Sequence, residues 1–169
     1  MQINFYPVTA LMIVLLALLN DAPIMTIAYD NVIYSKKPEK WDLRNILGMA
    51  TILGIIGVIS SFFVLYIGLN IFNLSPALLQ SFIYLKLSVA GHLTVFVART
   101  KGYFWTVKPA LPLFLAVVIT QLIATLIVVY GFLLPAIGWY LAAFIWIYAL
   151  IAFVITDFIK VHFYKFFNR

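Results

Sequence analysis

The sequence contains no cysteine, and only 9% of its 169 residues are charged, against 66% that are apolar. Without cysteine the chain can form no disulfide, no thiolate zinc site, and no prenyl or palmitoyl anchor. In a soluble domain about one quarter of the residues are charged, and a disordered chain has a lower fraction of apolar residues than a folded one. The composition therefore excludes both classes and is typical of a polytopic membrane protein.

Catalytic and cofactor motifs are also missing from the sequence. We find no P-loop, no zinc-binding helix motif, no nucleophile elbow and no glycine-rich dinucleotide loop. We therefore expect no catalytic residue, metal site or cofactor in this chain. The net charge of +6 would suggest a nucleic-acid partner in a soluble protein, but here the charges lie between apolar runs and indicate membrane topology.

Five apolar segments are long enough to cross about 30 Å of hydrocarbon as helices. Only helices are expected, because unpaired backbone groups are too costly in lipid. The sequence thus predicts an all-α bundle of five transmembrane helices in one domain, residues 1–169, with a lipid bilayer as its surroundings. The predicted spans are 8–28, 43–68, 76–98, 111–132 and 139–158.

Basic residues are confined to alternate connections. Ten of the eleven Lys and Arg lie after the first, third and fifth spans, and the connections 69–75 and 133–138 have none. The positive-inside rule therefore predicts an N-terminus outside and a C-terminus in the cytoplasm of a multi-pass cell-membrane protein. The ten residues are Lys36, Lys37, Lys40, Arg44, Arg99, Lys101, Lys108, Lys160, Lys165 and Arg169.

The first span contains an acidic residue and a proline near its middle. Asp21 lies roughly 20 Å deep at about 1.5 Å per residue. Pro23 has no N–H, so the carbonyl of Leu19 loses its helical donor. We therefore predict a helix broken at Asn20–Pro23, where Asp21, Asn20 and the freed carbonyl form a cation or proton site. The alternative is a kinked helix with a buried, neutral Asp21.

Two further ionisable residues lie within the predicted spans. Lys86 is at a depth from which a long side chain reaches Asp21, so it is a candidate counter-ion that helps to release the bound ion. The alternatives are a structural pair with Asp21, or a lysine that reaches a backbone carbonyl. His92 lies on a different face from Lys86 and is interpreted as a packing residue. Asp157 and Lys160 are three residues apart and predict an interfacial ion pair.

Four blocks of sequence resemble the plasma-membrane-type proton-pumping P-type ATPases. Leu18 to Ala28, with its Asn20-Asp21 pair, resembles the sixth transmembrane helix of that family. Blocks similar to the eighth, ninth and tenth helices follow in order, at residues 84–88 with 96–100, at 121–130, and at 138–139 with 145–148 and Asp157. The resemblance covers essentially the whole chain and implies that it corresponds to helices six to ten.

This resemblance implies a role for Asp21 as the membrane proton acceptor, and a supporting role for the last three helices. The family's phosphorylated Asp-Lys-Thr-Gly-Thr motif is absent. ATP and Mg²⁺ would therefore bind to domains that this chain lacks, and we expect no ATPase activity from it alone. The chain also departs from the family at two places. Ala22-Pro23 stands where plant and fungal members usually have Gly-Thr, and Lys86 stands where an uncharged polar residue is common.

We therefore interpret the chain as the transport portion of a proton-exporting P-type ATPase, with a proton as the transported ion. Its expected partner is a complementary chain that carries the first five helices and the cytoplasmic domains. The alternatives are a truncated relic, an accessory or scaffold membrane subunit, and a stand-alone proton channel or secondary transporter. No nucleic-acid partner is expected.

Overall fold

The computed structural model describes residues 5–31 and 43–167, and its regular elements are all helical. Each of the five main helices is long and apolar enough to cross a membrane, so the predicted all-α architecture with five membrane spans is confirmed. The helices are α1 (Ala10–Thr26), α2 (Leu43–Asn70), α3 (Pro76–Ala98), α4 (Leu111–Tyr130) and α5 (Gly138–Phe167), and a 3₁₀ turn (Ile27–Tyr29) follows α1.

Local sequence signals set several helix boundaries. The Thr9 side chain accepts a hydrogen bond from the Met12 N–H at 3.3 Å and caps α1. Pro76 starts α3, where a missing N–H costs nothing. Gly131 ends α4 with φ of 76°, and a Cβ there would lie 2.9 Å from the Ala136 Cβ. Glycine is thus the residue that fits this left-handed, crowded turn.

The structure corrects the prediction for the first span. The break predicted at Asn20–Pro23 is absent, because α1 stays helical from Ala10 to Thr26 with Pro23 inside it. A proline removes only its own N–H donor, and the helix continues through it. At the other end of the chain, α5 continues beyond Phe158, the predicted end of the fifth span, to Phe167.

The central element is α3, which contacts each of the other four helices. On one side it packs against α1 and α4, and on the other against α2 and α5. Among the described residues, α1 and α2 make no contact with each other. Leu79, Phe82, Leu85 and Val89 of α3 are fully buried and form much of the core. A polar side chain on α3 therefore meets a different neighbour depending on its face.

Both α1 and α3 end, and both α2 and α4 begin, at the same end of the bundle. We call it the basic end, because Arg44, Arg99, Lys101 and Lys108 lie at these helix ends and in the connection from α3 to α4. The C-terminal part of α5 also lies there, since a Cβ added at Gly48 near the start of α2 would be 3.3 Å from the Phe163 ring. The connections at the opposite end are short and uncharged.

Candidate functional site

The two faces of α1 have different surroundings. Met12 and Pro23 are buried, and Leu16, Leu19 and Asn20 continue the same stripe toward the other helices. This spacing of three and four residues marks the face of a helix that packs.

Asp21 lies on the opposite, exposed face of α1. Val14, Leu18 and Met25 share that face and are 63–74% exposed. Within residues 5–31 and 43–167, Asp21 makes no hydrogen bond or ion pair. Its carboxylate therefore points away from the helices that the structure describes.

The Leu19 carbonyl, which Pro23 leaves without a helical donor, lies on the packed face of α1. The ring of His92 on α3 lies near this part of α1, beside the Leu19 backbone. Beside it, the Asn20 side chain lies against Gly91, where an added Cβ would be 3.7 Å from Asn20 Oδ1. Leu19, Asn20 and Pro23 thus face the bundle, and Asp21 does not.

His92 is a buried polar residue on α3. It is 2% exposed, its Nδ1 lies 2.8 Å from the Ser88 carbonyl oxygen, and its Nε2 lies 2.9 Å from Thr120 Oγ1 on α4. The interpretation as a packing residue agrees with this burial, and the ring also joins α3 to α4 through its hydrogen bonds.

Polar contacts continue from the His92 region into α4 and α5. Ser88 Oγ donates to Gln121 Oε1 at 3.1 Å, and the Trp146 Nε1 of α5 donates to Thr125 Oγ1 at 3.2 Å. Gln121 Nε2 is buried and has no hydrogen-bond partner among the described residues. Hydrogen bonds of this kind hold apolar helices in one defined register, whereas hydrophobic contacts alone do not distinguish one register from another.

Lys86 is also buried, at 2% exposure, but it faces α2. Its Nζ donates to the Ser61 hydroxyl at 2.6 Å and to the Gly57 carbonyl at 3.2 Å. The structure therefore does not bring Lys86 to Asp21, and the contact corresponds to the alternative of a lysine that reaches a backbone carbonyl. Six residues separate Lys86 from His92, which places them on different faces of α3, and α1 packs on the face of His92.

The chain is 48% identical over 159 residues to a protein of Methanocaldococcus jannaschii named as a cation-transporting ATPase, and this match covers 94% of the chain and 20% of that relative. Two proteins of Leishmania donovani named as proton ATPases, 1A and 1B, are each 31% identical over 94% of the chain. The chain is homologous to a C-terminal fragment of P-type ATPases.

The homology confirms the family that the Asn20-Asp21 block indicated. The chain spans about a fifth of the length of these relatives, which fits a membrane portion of a P-type ATPase. No protein-family model matches the chain. The ion that binds, the role of Asp21 and the identity of a partner chain remain predictions.

At the basic end of this P-type ATPase fragment, an ion pair joins α1 to α3. Arg99 donates through Nε to Asp30 Oδ2 at 2.7 Å and through Nη2 to Asp30 Oδ1 at 3.0 Å, and both side chains are 6% exposed. Arg99 also donates to the carbonyls of Val107 and Lys108, and Asp30 accepts from the Ala110 N–H at 2.9 Å. The pair therefore fixes the end of α1 against the start of α4.

A second ion pair ties α5 to the same connection. Lys160 Nζ donates to Asp157 Oδ1 at 2.6 Å, so the predicted Asp157–Lys160 pair is confirmed, and each side chain is 1% exposed. Lys160 also donates to the Val97 carbonyl at the end of α3, and Asp157 Oδ2 accepts from the Phe104 N–H at 3.1 Å. Every charge in this pair has two partners.

The stability that Asp30 contributes is expected to depend on pH. Burial of the Asp30 carboxylate favours its neutral form, but hydrogen bonds from the Ala110 N–H and from Arg99 outweigh this effect and lower the pKa of Asp30 below its ordinary 3.8. A pKa that is lower in the folded state gives stability that is present above the unfolded pKa and is lost as the pH falls through the folded value.

We therefore expect Asp30→Asn to lower the free energy of unfolding at pH 7, and this difference from the parent chain to shrink as the pH falls below 3.8. The measurement is the free energy of unfolding of both chains in mixed detergent micelles, at pH 7 and near the lowest pH at which the parent chain stays folded. A difference that stays constant with pH would show that the Asp30 charge contributes nothing.

Proposed function

We propose that the chain is the membrane-transport portion of a proton-exporting P-type ATPase, in which Asp21 binds the transported proton. The observation that carries the proposal is the position of Asp21. It lies within a helix long and apolar enough to span the membrane, on the face that the other four helices leave exposed.

A carboxylate in this position needs a partner. Placing an ionised carboxylate at the centre of a bilayer costs about 2.5–3.5 kcal/mol or more, and no described residue of this chain offsets that cost. The exposed face of α1 therefore forms one side of an ion-binding site, which we call a half-site. In the proposed pump, the first five helices of a complementary chain or region cover this face and surround Asp21.

The ion that best suits this half-site is a proton. Sodium and calcium ions require several oxygen ligands, whereas Asp21 is the single carboxylate on α1 and its neighbours Asn20 and the Leu19 carbonyl face the bundle. The Leishmania relatives are named as proton ATPases, which supports the same ion. ATP and Mg²⁺ would bind to the cytoplasmic domains of the proposed pump.

We further propose that the basic end lies in the cytoplasm of the cell and that α1 begins outside. Lys101 and Lys108 in the connection between α3 and α4, together with Arg99, satisfy the positive-inside rule in this orientation. In the pump, the end of α1 held by Asp30 would then be close to the cytoplasmic domains that drive transport.

The first experiment is an affinity pull-down of the tagged chain from its native membranes, followed by labelling with radioactive ATP. We expect a complementary polypeptide that forms an acid-stable, hydroxylamine-sensitive phosphoenzyme. In vesicles that contain this assembly, Asp21→Asn should abolish ATP-driven proton transport. Glu39→Gln, which removes a carboxylate between the first two predicted spans, is the control and should transport normally.

Two results would contradict the proposal. Proton transport that survives Asp21→Asn would remove Asp21 from the pathway. The absence of both a partner and a phosphoenzyme would favour an accessory membrane subunit or a relic, and proton flux in vesicles that contain only this chain would favour a stand-alone channel.

A further inference from the structure

A long apolar groove runs between α3, α4 and α5. Its wider part, with a volume of about 430 Å³, lies at the connection from α3 to α4, and a narrower part of about 230 Å³ continues as far as Trp146 of α5. Leu93, Phe96 and Phe114 line both parts, so the two volumes belong to one groove. We call it the aromatic groove, because six of the residues in its wall are aromatic: Phe96, Phe104, Trp105, Phe114, Trp146 and Phe153.

The length of the aromatic groove matches the depth of one bilayer leaflet. The groove begins near Lys108, just before α4, and follows α4 as far as Gln121 and Leu122. From Leu111, the first residue of α4, to Gln121 the helix rises about 15 Å at about 1.5 Å per residue. Half of a hydrocarbon core about 30 Å thick is also about 15 Å. The groove therefore reaches from the surface of the membrane to its middle.

The deep part of the groove suits a hydrocarbon chain. Its three polar side chains are each hydrogen-bonded within the bundle: His92 to Thr120, Gln121 to Ser88, and Trp146 to Thr125. The surface that remains in this part is almost entirely apolar. A ligand with polar groups along its length would lose hydrogen bonds to water there without replacing them.

The shallow end of the groove carries a cation. Lys108 lines the wide part, and within residues 5–31 and 43–167 its ammonium makes no hydrogen bond or ion pair. Arg99, by contrast, is already paired with Asp30. Trp105 lies beside this end, is 56% exposed and stacks on Tyr103, and tryptophan is enriched at the depth of lipid headgroups. An apolar channel with an unpaired cation at its interfacial end is complementary to a negatively charged lipid.

We propose that the aromatic groove binds an anionic phospholipid, with one acyl chain along the groove and the phosphate group at Lys108. The acyl chain packs against the phenylalanine rings, and Lys108 supplies the charge that the headgroup needs. A zwitterionic lipid fills the same groove but gains less from Lys108, so the site prefers lipids with a net negative charge. This site is formed by α3, α4 and α5 and does not involve Asp21 or the transported ion.

The test uses a tryptophan in the groove as its reporter. The chain contains four tryptophans, and Trp146 lines the deep part of the groove. Replacing Trp41, Trp105 and Trp139 with phenylalanine leaves Trp146 as the one indole and keeps an aromatic ring at each position. We would reconstitute this chain in phosphatidylcholine bilayers and add phosphatidylglycerol whose acyl chains carry bromine, which quenches tryptophan fluorescence on contact. Brominated phosphatidylcholine gives the matched titration.

We expect brominated phosphatidylglycerol to quench Trp146 at a mole fraction roughly fivefold lower than brominated phosphatidylcholine, the preference that one lysine near an anionic headgroup provides. Lys108→Gln should remove this preference. Lys165→Gln, which removes an exposed charge at the same end of the bundle, is the control and should keep it.

Three results would overturn the proposal. Equal quenching by the two lipids would show that the headgroup is not recognised, and a preference that falls equally in Lys108→Gln and Lys165→Gln would assign it to the net charge of the surface. Absence of quenching by either lipid would show that no acyl chain enters the groove. Because the chain is tested by itself in bilayers, none of these results bears on the role of Asp21.

Discussion

Replacing Lys160 with methionine is expected to destabilise the chain by roughly 3–5 kcal/mol, the usual cost of breaking a buried ion pair from one side. The methionine fills a similar volume, but it leaves the Asp157 carboxylate, 1% exposed, without its counter-charge. The Val97 carbonyl at the end of α3 loses a donor as well. Both effects occur where α3, α5 and the connection from α3 to α4 meet.

The measurement is the free energy of unfolding in mixed detergent micelles, followed by far-ultraviolet circular dichroism. Lys165→Met, an exposed position on the same helix, is the matched control and should change stability by less than about 0.5 kcal/mol. The double variant Asp157→Leu with Lys160→Met should recover part of the loss, because no charge is then left buried. Equal stability of Lys160→Met and the parent chain would contradict a buried pair.

Replacing Arg99 with methionine is expected to cost roughly 2–5 kcal/mol, as for a truncated partner of a buried, hydrogen-bonded charge pair. Arg99 makes two hydrogen bonds to Asp30 and one each to the Val107 and Lys108 carbonyls. Without it, the Asp30 carboxylate keeps the Ala110 N–H as a partner but loses its counter-charge. The end of α1 is then expected to separate from the start of α4.

Arg99→Lys distinguishes geometry from charge. Lysine keeps the positive charge but cannot donate to both carboxylate oxygens and to two carbonyls in a planar fork, so it should recover less than half of the loss. The measurement is the free energy of unfolding of Arg99→Met, of Arg99→Lys, and of the double variant Asp30→Asn with Arg99→Met. Full rescue by lysine would show that charge alone holds this end of the bundle.

The membrane architecture followed from the sequence because it depends on local properties. Apolar run length fixed the number of spans, and the three-residue spacing of Asp157 and Lys160 placed both on one helix face. The break predicted at Pro23 was wrong because a proline costs a helix only one N–H donor, and α1 keeps its helical geometry from Ala10 to Thr26 despite that loss.

The partner of Lys86 could not be predicted for a related reason. Depth in the membrane allowed a contact with Asp21, but depth does not specify direction around the helix axis. Lys86 faces α2 because α1 packs on another face of α3, and the order of helices around α3 is a property of the whole bundle. The same limit applied to His92, whose ring contacts Ser88 on its own helix and Thr120 on α4.

The two ion pairs at the basic end also set an order for assembly during synthesis. Asp30 precedes Arg99 in the chain, and Val97 and Phe104 precede Asp157 and Lys160. While a ribosome extends the chain, Asp30 after α1 therefore has no partner until α3 has been made. In the same way, the Val97 carbonyl at the end of α3 has no contact with Lys160 until α5 has been made. A nascent bundle without α5 exposes a carbonyl and an N–H that only the last helix satisfies, so insertion of α5 completes the fold.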